Sequence, residues 1–167
     1  MKNLRLIFLA IVMSTLAGCG GGGGSSSNST PTTVSMILKV STTGTLSGSS
    51  ISGVGFSVTM PAGVTIATNQ DGSVAAGVVT PSGIISSATA TNTQFYTPAG
   101  TAPAKLDIFV ASKVAEGVGT GEFFSITVTR PAGSAVPTAA NFTLSNFEPA
   151  DLLLQPIPGI NGILTVQ

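Results

Sequence analysis

Four tripeptides of the form Pro-Ala-Gly or Pro-Ser-Gly, beginning at residues 61, 81, 98 and 131, divide this chain into short segments. Proline presets φ at the first inner position of a β-turn, and glycine suits the exit from the turn. The spacing of the tripeptides is uneven and their flanks do not repeat, so they are turn signals and not the units of a repeat protein. No amphipathic helix of useful length appears anywhere in the chain.

The segments between these turns alternate apolar with small polar residues, a period of two that is typical of half-buried β-strands. Only residues 138–141 suggest a single helical turn. About nine short strands separated by turns predict an all-β protein that folds as one antiparallel β-sandwich. The predicted strands are 34–40, 51–60 (resuming at 64–66), 74–79, 84–91, 93–97, 105–111, 122–129, 142–144 and 163–166.

The composition agrees with a sandwich and excludes several functions. Only 7% of residues are charged, and Ser and Thr take the solvent face of a strand where a helix would carry Lys and Glu. The chain has no His and a single cysteine, Cys19, which excludes imidazole metal sites and His-dependent catalysis. After residue 18 there are four basic and six acidic side chains, so the basic patch that nucleic-acid binding needs is absent.

Residues 1–18 have the organisation of a signal peptide. Lys2 and Arg5 precede the apolar run 6–13, and small residues follow. Eight apolar residues are too few to cross a hydrocarbon core about 30 Å thick, so this segment is not a stable transmembrane helix. The signal peptide ends immediately before the only cysteine of the chain.

The sequence Leu16-Ala17-Gly18-Cys19 resembles the lipobox of bacterial lipoproteins. The resemblance implies cleavage before Cys19, attachment of a diacylglyceryl group to its sulfur and acylation of the new N-terminus. More than one acyl chain is what stable anchoring requires. Gly20 after the cysteine favours the outer membrane or cell surface of a Gram-negative bacterium. The alternative is an ordinary secretory signal followed by an unrelated cysteine.

Residues 20–33 form a Gly/Ser-rich tether that follows the lipidated cysteine. Such a composition behaves as a flexible coil, with an r.m.s. span of about 20 Å and a stretched reach of about 48 Å. The chain therefore divides into a signal peptide (1–18), a lipidated cysteine with its tether (19–33) and one folded domain (34–167).

The folded domain resembles a cohesin-type domain in the order of its apolar segments. The similar stretches are 51–64, 105–110, 119–128 and 160–166. The resemblance implies a nine-stranded jelly-roll sandwich that binds a calcium-loaded, dockerin-like partner through one sheet face. This chain has no dockerin-like Asp-x-Asn-x-Asp repeat, so the partner would be another envelope or secreted protein.

Phe109 and Phe123 are the candidate partner-binding residues. Each lies out of phase with the apolar set of its own strand, so the alternation places both on the opposite face. If that face meets solvent, the two rings form an exposed apolar patch that marks a partner site. If a second sheet or a loop covers it, they belong to a satellite core.

Asn92, Gln94 and Tyr96 share one face of their strand and are the candidates for an alternative function, polysaccharide binding or adhesion. Sugar-binding platforms favour Trp and Tyr, and Tyr96 is the only residue of either type in the chain. An ordinary solvent-facing strand surface with one aromatic side chain is the simpler interpretation.

The remaining route to catalysis is a carboxylate pair, and Asp107 with Glu122 is the pair that the strand pattern offers. Solvated carboxylates on strand faces explain both residues more simply. Asp71 with Asn69 supplies too few oxygen ligands for calcium. The sequence therefore predicts a non-catalytic module without metal or cofactor, and its leading function is protein binding or scaffolding.

Overall fold

A computed structural model describes residues 32–167 of the chain. The predicted signal peptide, the lipobox with Cys19 and the tether up to residue 31 lie outside the described residues. The described part contains eight strands and one 3-10 helix, Ala139–Asn141. The strands are β1 (Thr33–Thr43), β2 (Gly53–Thr59), β3 (Val79–Pro81), β4 (Ala90–Thr97), β5 (Lys105–Ser112), β6 (Glu122–Pro131), β7 (Thr143–Ala150) and β8 (Asn161–Val166).

The strands form two antiparallel sheets of four strands each. The first sheet has the order β3-β6-β1-β8, and the second sheet has the order β4-β5-β2-β7. Every connection except the β4–β5 hairpin passes from one sheet to the other. The predicted all-β antiparallel sandwich is therefore confirmed, with eight strands in place of about nine.

The difference in strand count has local causes. Residues 64–66 make only an isolated bridge between Thr65 and Thr129, and Val74 makes one with Thr68. The first part of the predicted strand 84–91 is instead a turn, in which the Ser86 N–H donates to the Thr89 hydroxyl at 2.9 Å. Side-chain hydrogen bonds of this kind compete with a strand ladder.

Strand β7 extends well beyond the predicted strand 142–144. A β-bulge interrupts the alternation after residue 144, so the sequence pattern did not indicate the rest of the strand. Gly55 of β2 pairs with Glu148, whereas Ser57 pairs with Ser145, so two β7 residues face one β2 residue. Asn146 adopts φ of 51° at this bulge, a conformation that Asn tolerates better than most residues.

The core lies between the sheets and is centred on three phenylalanines. The Phe56 ring of β2 lies 6.0 Å from that of Phe124 on β6 and 6.3 Å from that of Phe147 on β7. The predicted inward sets of the central strands are buried, except Val34 at the start of β1, which is exposed. Those buried residues are Met36, Leu38, Val40, Val54, Phe56, Val58, Met60, Leu106, Ile108, Val110, Phe124, Ile126 and Val128.

The predicted helical turn is the 3-10 helix at Ala139–Asn141, where the Asn141 carboxamide accepts the Thr138 N–H at 2.8 Å. Among residues 32–167, none of the helical structure is long and apolar enough to cross a membrane.

We expect Phe124→Ala to lower the free energy of unfolding by about 3–5 kcal/mol, because it leaves a cavity where both sheets meet. Urea denaturation with fluorescence or circular dichroism measures this change. Phe109→Ala is the matched control, since the Phe109 ring is mostly solvent-exposed and its loss should cost about 1 kcal/mol or less. Equal effects of the two substitutions would contradict the placement of the core.

Candidate binding face

The outer face of the second sheet carries two exposed phenylalanines, and we call this surface the aromatic face. Phe95 on β4 is 59% exposed and Phe109 on β5 is 56% exposed. Because Thr93 pairs with Phe109 and Phe95 pairs with Asp107, the two rings are diagonal neighbours on the sheet. Diagonal neighbours are within reach of aromatic side chains, so the two rings can form one apolar patch.

The Phe109 ring is positioned by a glycine on the neighbouring strand. Phe109 pairs with Gly55 of β2, and a Cβ added to Gly55 would lie 3.2 Å from Phe109 Cδ1. The missing side chain lets the ring lie across the Gly55 backbone. One side of the ring is therefore packed on the sheet, and the other remains open to solvent.

A polar chain runs through the aromatic face beside Phe109. The Asn146 amide donates to the Ser57 hydroxyl at 3.3 Å, and the buried Ser57 hydroxyl donates to Asp107. The Lys105 ammonium lies 2.8 Å from Asp107 Oδ1. Burial raises the pKa of Asp107, but the hydrogen bonds from Lys105 and Ser57 outweigh it and hold that pKa below its ordinary value.

A shallow cavity of about 250 Å³ lies on the same face. Phe109, Asp107, Asn146 and Glu148 are among the residues that line it. Exposed aromatic rings beside a few fixed polar groups are typical of protein-binding surfaces, where aromatic residues are enriched. The aromatic face can therefore take an apolar side chain together with a hydrogen-bond donor.

The predicted patch of Phe109 with Phe123 does not form. Phe109 is exposed, which was one of the two outcomes that the alternation allowed. Phe123 lies on β6 of the first sheet and is only 3% exposed. The β1–β6 register shifts at this point, since Val40 pairs with Phe124 and Ser41 with Glu122. This bulge lets Phe123 and Phe124 both be buried, so Phe123 belongs to the core.

Asp107 and Glu122 do not form a carboxylate pair either. Asp107 is on the second sheet, whereas Glu122 is on the first sheet and bonds Lys39 at 2.9 Å. Hydrogen bonds from Lys39 and Ser82 hold the pKa of Glu122 below its ordinary value. Asp71 accepts hydrogen bonds from Ser73 and closes its own turn. Residues 32–167 contain no cluster of three or more His, Cys, Asp or Glu side chains.

Asn92, Gln94 and Tyr96 do share one face of β4, but that face points towards the space between the sheets. All three are half-buried, and burial raises the pKa of the Tyr96 phenol. Asn92 lines a cavity of about 310 Å³ at the edge of the sandwich, and Gln94 and Tyr96 do not. The predicted ligand-binding groove is therefore not formed by these three residues.

Sequence reasoning missed Phe95 and the leucines 152–154. The candidates on β4 were taken from its opposite face, which carries Asn92, Gln94 and Tyr96, so Phe95 was assigned no role. The leucines form the β7–β8 turn, where Leu153 is 78% and Leu154 81% exposed. Asp151 Oδ1 accepts the Leu153 N–H at 2.8 Å, which holds the turn. Three successive leucines have no alternation, so the run itself was the available signal.

Comparisons with known proteins found no match to a family model, to a curated protein or to a solved structure. The resemblances to cohesin-type domains and to bacterial lipoproteins stay predictions from the sequence. The function must therefore be inferred from the aromatic face and the sequence features together.

We expect the free energy of unfolding to fall as the pH is lowered from about 5 to about 2. Asp107 and Glu122 have lowered pKa values in the folded state, so their stabilising effect is present above their unfolded pKa values of about 4. It is lost as the pH falls through the lower, folded values. Urea denaturation at several pH values measures the slope.

Asp107→Asn should flatten this acid dependence, because the amide cannot titrate. Glu116→Gln is the control, since the exposed Glu116 side chain is in neither of the ion pairs that the structure gives for residues 32–167. An acid slope that Asp107→Asn leaves unchanged would show that the Lys105–Asp107–Ser57 contacts do not stabilise the fold.

Proposed function

We propose that this chain is a non-catalytic, lipid-anchored module of the bacterial envelope that binds another protein through its aromatic face. The observation that carries the proposal is the exposure of Phe95 and Phe109 on a regular sheet surface. Large rings left in water on a strand face are costly to solubility and mark interaction sites when they are grouped.

The neighbouring groups support a protein as the ligand. Phe109 is flanked by the Lys105–Asp107 ion pair and by Glu148. A partner that covers the two rings with apolar side chains and offers Lys or Arg to the carboxylates would be complementary to this face. Such a partner would be an envelope or secreted protein, and a dockerin-like helix pair is the partner that the cohesin resemblance suggests.

The rival functions have less support. A hydrolase of this composition would need paired carboxylates, and Asp107 and Glu122 lie on different sheets. A sugar-binding platform favours Trp or Tyr, but the two exposed rings are Phe, and Tyr96 is half-buried on the inner face of β4. Protein binding is the function that would use the exposed Phe95 and Phe109 rings together with the polar groups beside them.

The sequence supports the location of the module. Cys19 at the end of the lipobox would be lipidated and would hold the chain at the outer membrane or cell surface. The tether would let the domain reach its partner without a fixed orientation. Anchoring and binding then reside in separate parts of the chain and can be tested separately.

Phe109→Asp should weaken partner binding at least tenfold, because it places a charge at the centre of the apolar contact. The measurement uses the full chain, purified in detergent, as bait for envelope and secreted proteins, with titration of the recovered partner with and without a calcium chelator. Ile37→Asp is the matched control, since Ile37 is exposed on the outer face of the first sheet.

A partner bound equally by the wild-type chain and by Phe109→Asp would rule out the aromatic face. Retention on insoluble polysaccharide without recovery of any protein would favour the alternative function. Loss of the partner on chelation would support a dockerin-like partner, and binding that survives chelation would remove that analogy.

Cys19→Ser should move the chain from the membrane fraction to the soluble fraction, because the acyl chains have no attachment site. Cell fractionation and mass spectrometry of the N-terminus measure this. The variant should still bind the partner in solution. A Cys19→Ser chain that remains with the membrane would contradict lipidation at this residue.

A further inference from the structure

Strand β4 forms an edge of the second sheet, and its composition leaves that edge open. Its sequence, Ala-Thr-Asn-Thr-Gln-Phe-Tyr-Thr, has no charge, no proline and no glycine over eight residues. Natural proteins usually protect such an edge with a charge, a proline, a bulge or a very short strand. A long edge without these features is ready to pair with another strand.

The other three edge strands are less suited to pairing than β4. Strand β3 has only three residues and ends in Pro81. Strand β7 contains the bulge at Asn146 and also Pro149. Strand β8 is also uncharged, but it has only six residues and contains Gly162, which weakens strand pairing. Among the described edge strands, β4 is therefore the one without a charge, a proline, a glycine or a bulge.

The hydrogen-bond pattern shows which β4 groups are free. The Lys113 N–H donates to the Thr89 carbonyl at 2.7 Å, one position before the β4–β5 ladder, and this fixes the alternation along it. Thr91, Thr93, Phe95 and Thr97 therefore bond β5. The backbone groups of Ala90, Asn92, Gln94 and Tyr96 point away, and within residues 32–167 no backbone hydrogen bond reaches them.

A side chain on β4 also lacks a partner. The Gln94 Oε1 atom is buried, and among the described residues it accepts no hydrogen bond. A buried acceptor without a donor is destabilising. Gln94 belongs to the strand whose backbone edge is open, so the unpaired oxygen and the unpaired backbone groups lie on the same strand.

We propose that β4 pairs antiparallel with β4 of a second copy of this chain, about a two-fold axis beside Thr93. In this register Ala90 pairs with Tyr96 of the second copy, and Asn92 pairs with its Gln94. Every outward-pointing N–H and C=O of these residues then has a partner in the other copy. No other two-fold register satisfies all of them.

The side chains in this register are complementary. On the inner side, the Asn92 side chain of one copy lies opposite the Gln94 side chain of the other, and two amide side chains can hydrogen-bond each other. On the outer side, Thr93 meets its own copy at the axis, and Thr91 lies opposite Phe95. Since β4 carries no charge, two copies do not repel each other, and a foreign strand would find no charge to recognise.

The pairing is expected to be weak in solution. A single strand edge covers less than the roughly 800 Å² per partner that a standard interface buries. Confinement by a shared membrane raises the effective concentration and would strengthen it. The inference does not rest on the proposed function, because β4 pairing needs neither lipidation nor a foreign partner.

Thr93→Cys tests the register directly. In the full chain carrying Cys19→Ser, the cysteine at position 93 is the only thiol. The two-fold axis places it opposite the same cysteine of the second copy. Non-hydrogen-bonded antiparallel pairs have Cα atoms about 4.5 Å apart, which is within the range of a disulfide. We expect mild oxidation to give a disulfide-linked dimer, measured by non-reducing electrophoresis.

Thr91→Cys is the matched control, because Thr91 is exposed on the same face of the same strand but lies opposite Phe95. It should give at least tenfold less dimer than Thr93→Cys. Equal cross-linking at both positions, or stronger cross-linking at Thr91, would overturn the proposed pairing.

Sedimentation of the full chain with Cys19→Ser provides a test without cross-linking. The chain should dimerise as concentration rises, and Thr93→Lys should abolish the dimer by placing two like charges at the axis. Thr165→Lys, an exposed position on β8 at one edge of the first sheet, should leave it unchanged. A chain that stays monomeric at every concentration, or whose β4 binds only a different protein, would refute the second copy as the occupant.

Discussion

The contact on which this structure depends is that of Phe56 with Phe124 and Phe147, because it joins the two sheets at the centre of the core. Residues 32–167 hold two ion pairs and no cysteine, so burial of apolar surface between the sheets must supply most of the stability. Both β-bulges lie beside these rings: one faces Phe56, and the other allows Phe123 to be buried next to Phe124. The core thereby determines where the regular ladders are interrupted.

These interruptions shape the surface. The bulge opposite Phe56 places Asn146 where its amide reaches Ser57, and Ser57 in turn holds Asp107 beside Phe109. The fixed polar groups of the aromatic face therefore follow from the packing beneath it. Elsewhere the outer strand surfaces are largely Ser and Thr, which interact well with water, so the two exposed rings have no structural explanation in the core.

The sequence predicted best where a strand has one apolar and one polar face. Strand β5 was predicted as 105–111 and spans Lys105–Ser112, and the outward position of Phe109 followed from the same alternation. Prediction failed at the bulges, since a period of two does not survive an extra residue, and Phe123 was assigned to the wrong face. In β4 both faces mix polar and aromatic residues, so the alternation gave the strand without its orientation. Only the register with β5 showed that Phe95 points outward.

Strand β4, whose orientation the sequence did not predict, is also the strand whose outward backbone groups have no hydrogen-bond partner among residues 32–167. Both facts follow from its position at the edge of the sheet. A strand inside a sheet must be apolar on its buried face, but an edge strand lies where water still reaches, so Asn92 and Gln94 are tolerated there. Toleration does not explain why this edge carries no charge. The proposed pairing with a second copy would account for it, because an uncharged edge can meet its own copy without repulsion. It would also join the aromatic faces of two copies through β4, which bears Phe95, and so bring two binding surfaces to one side of a single sheet.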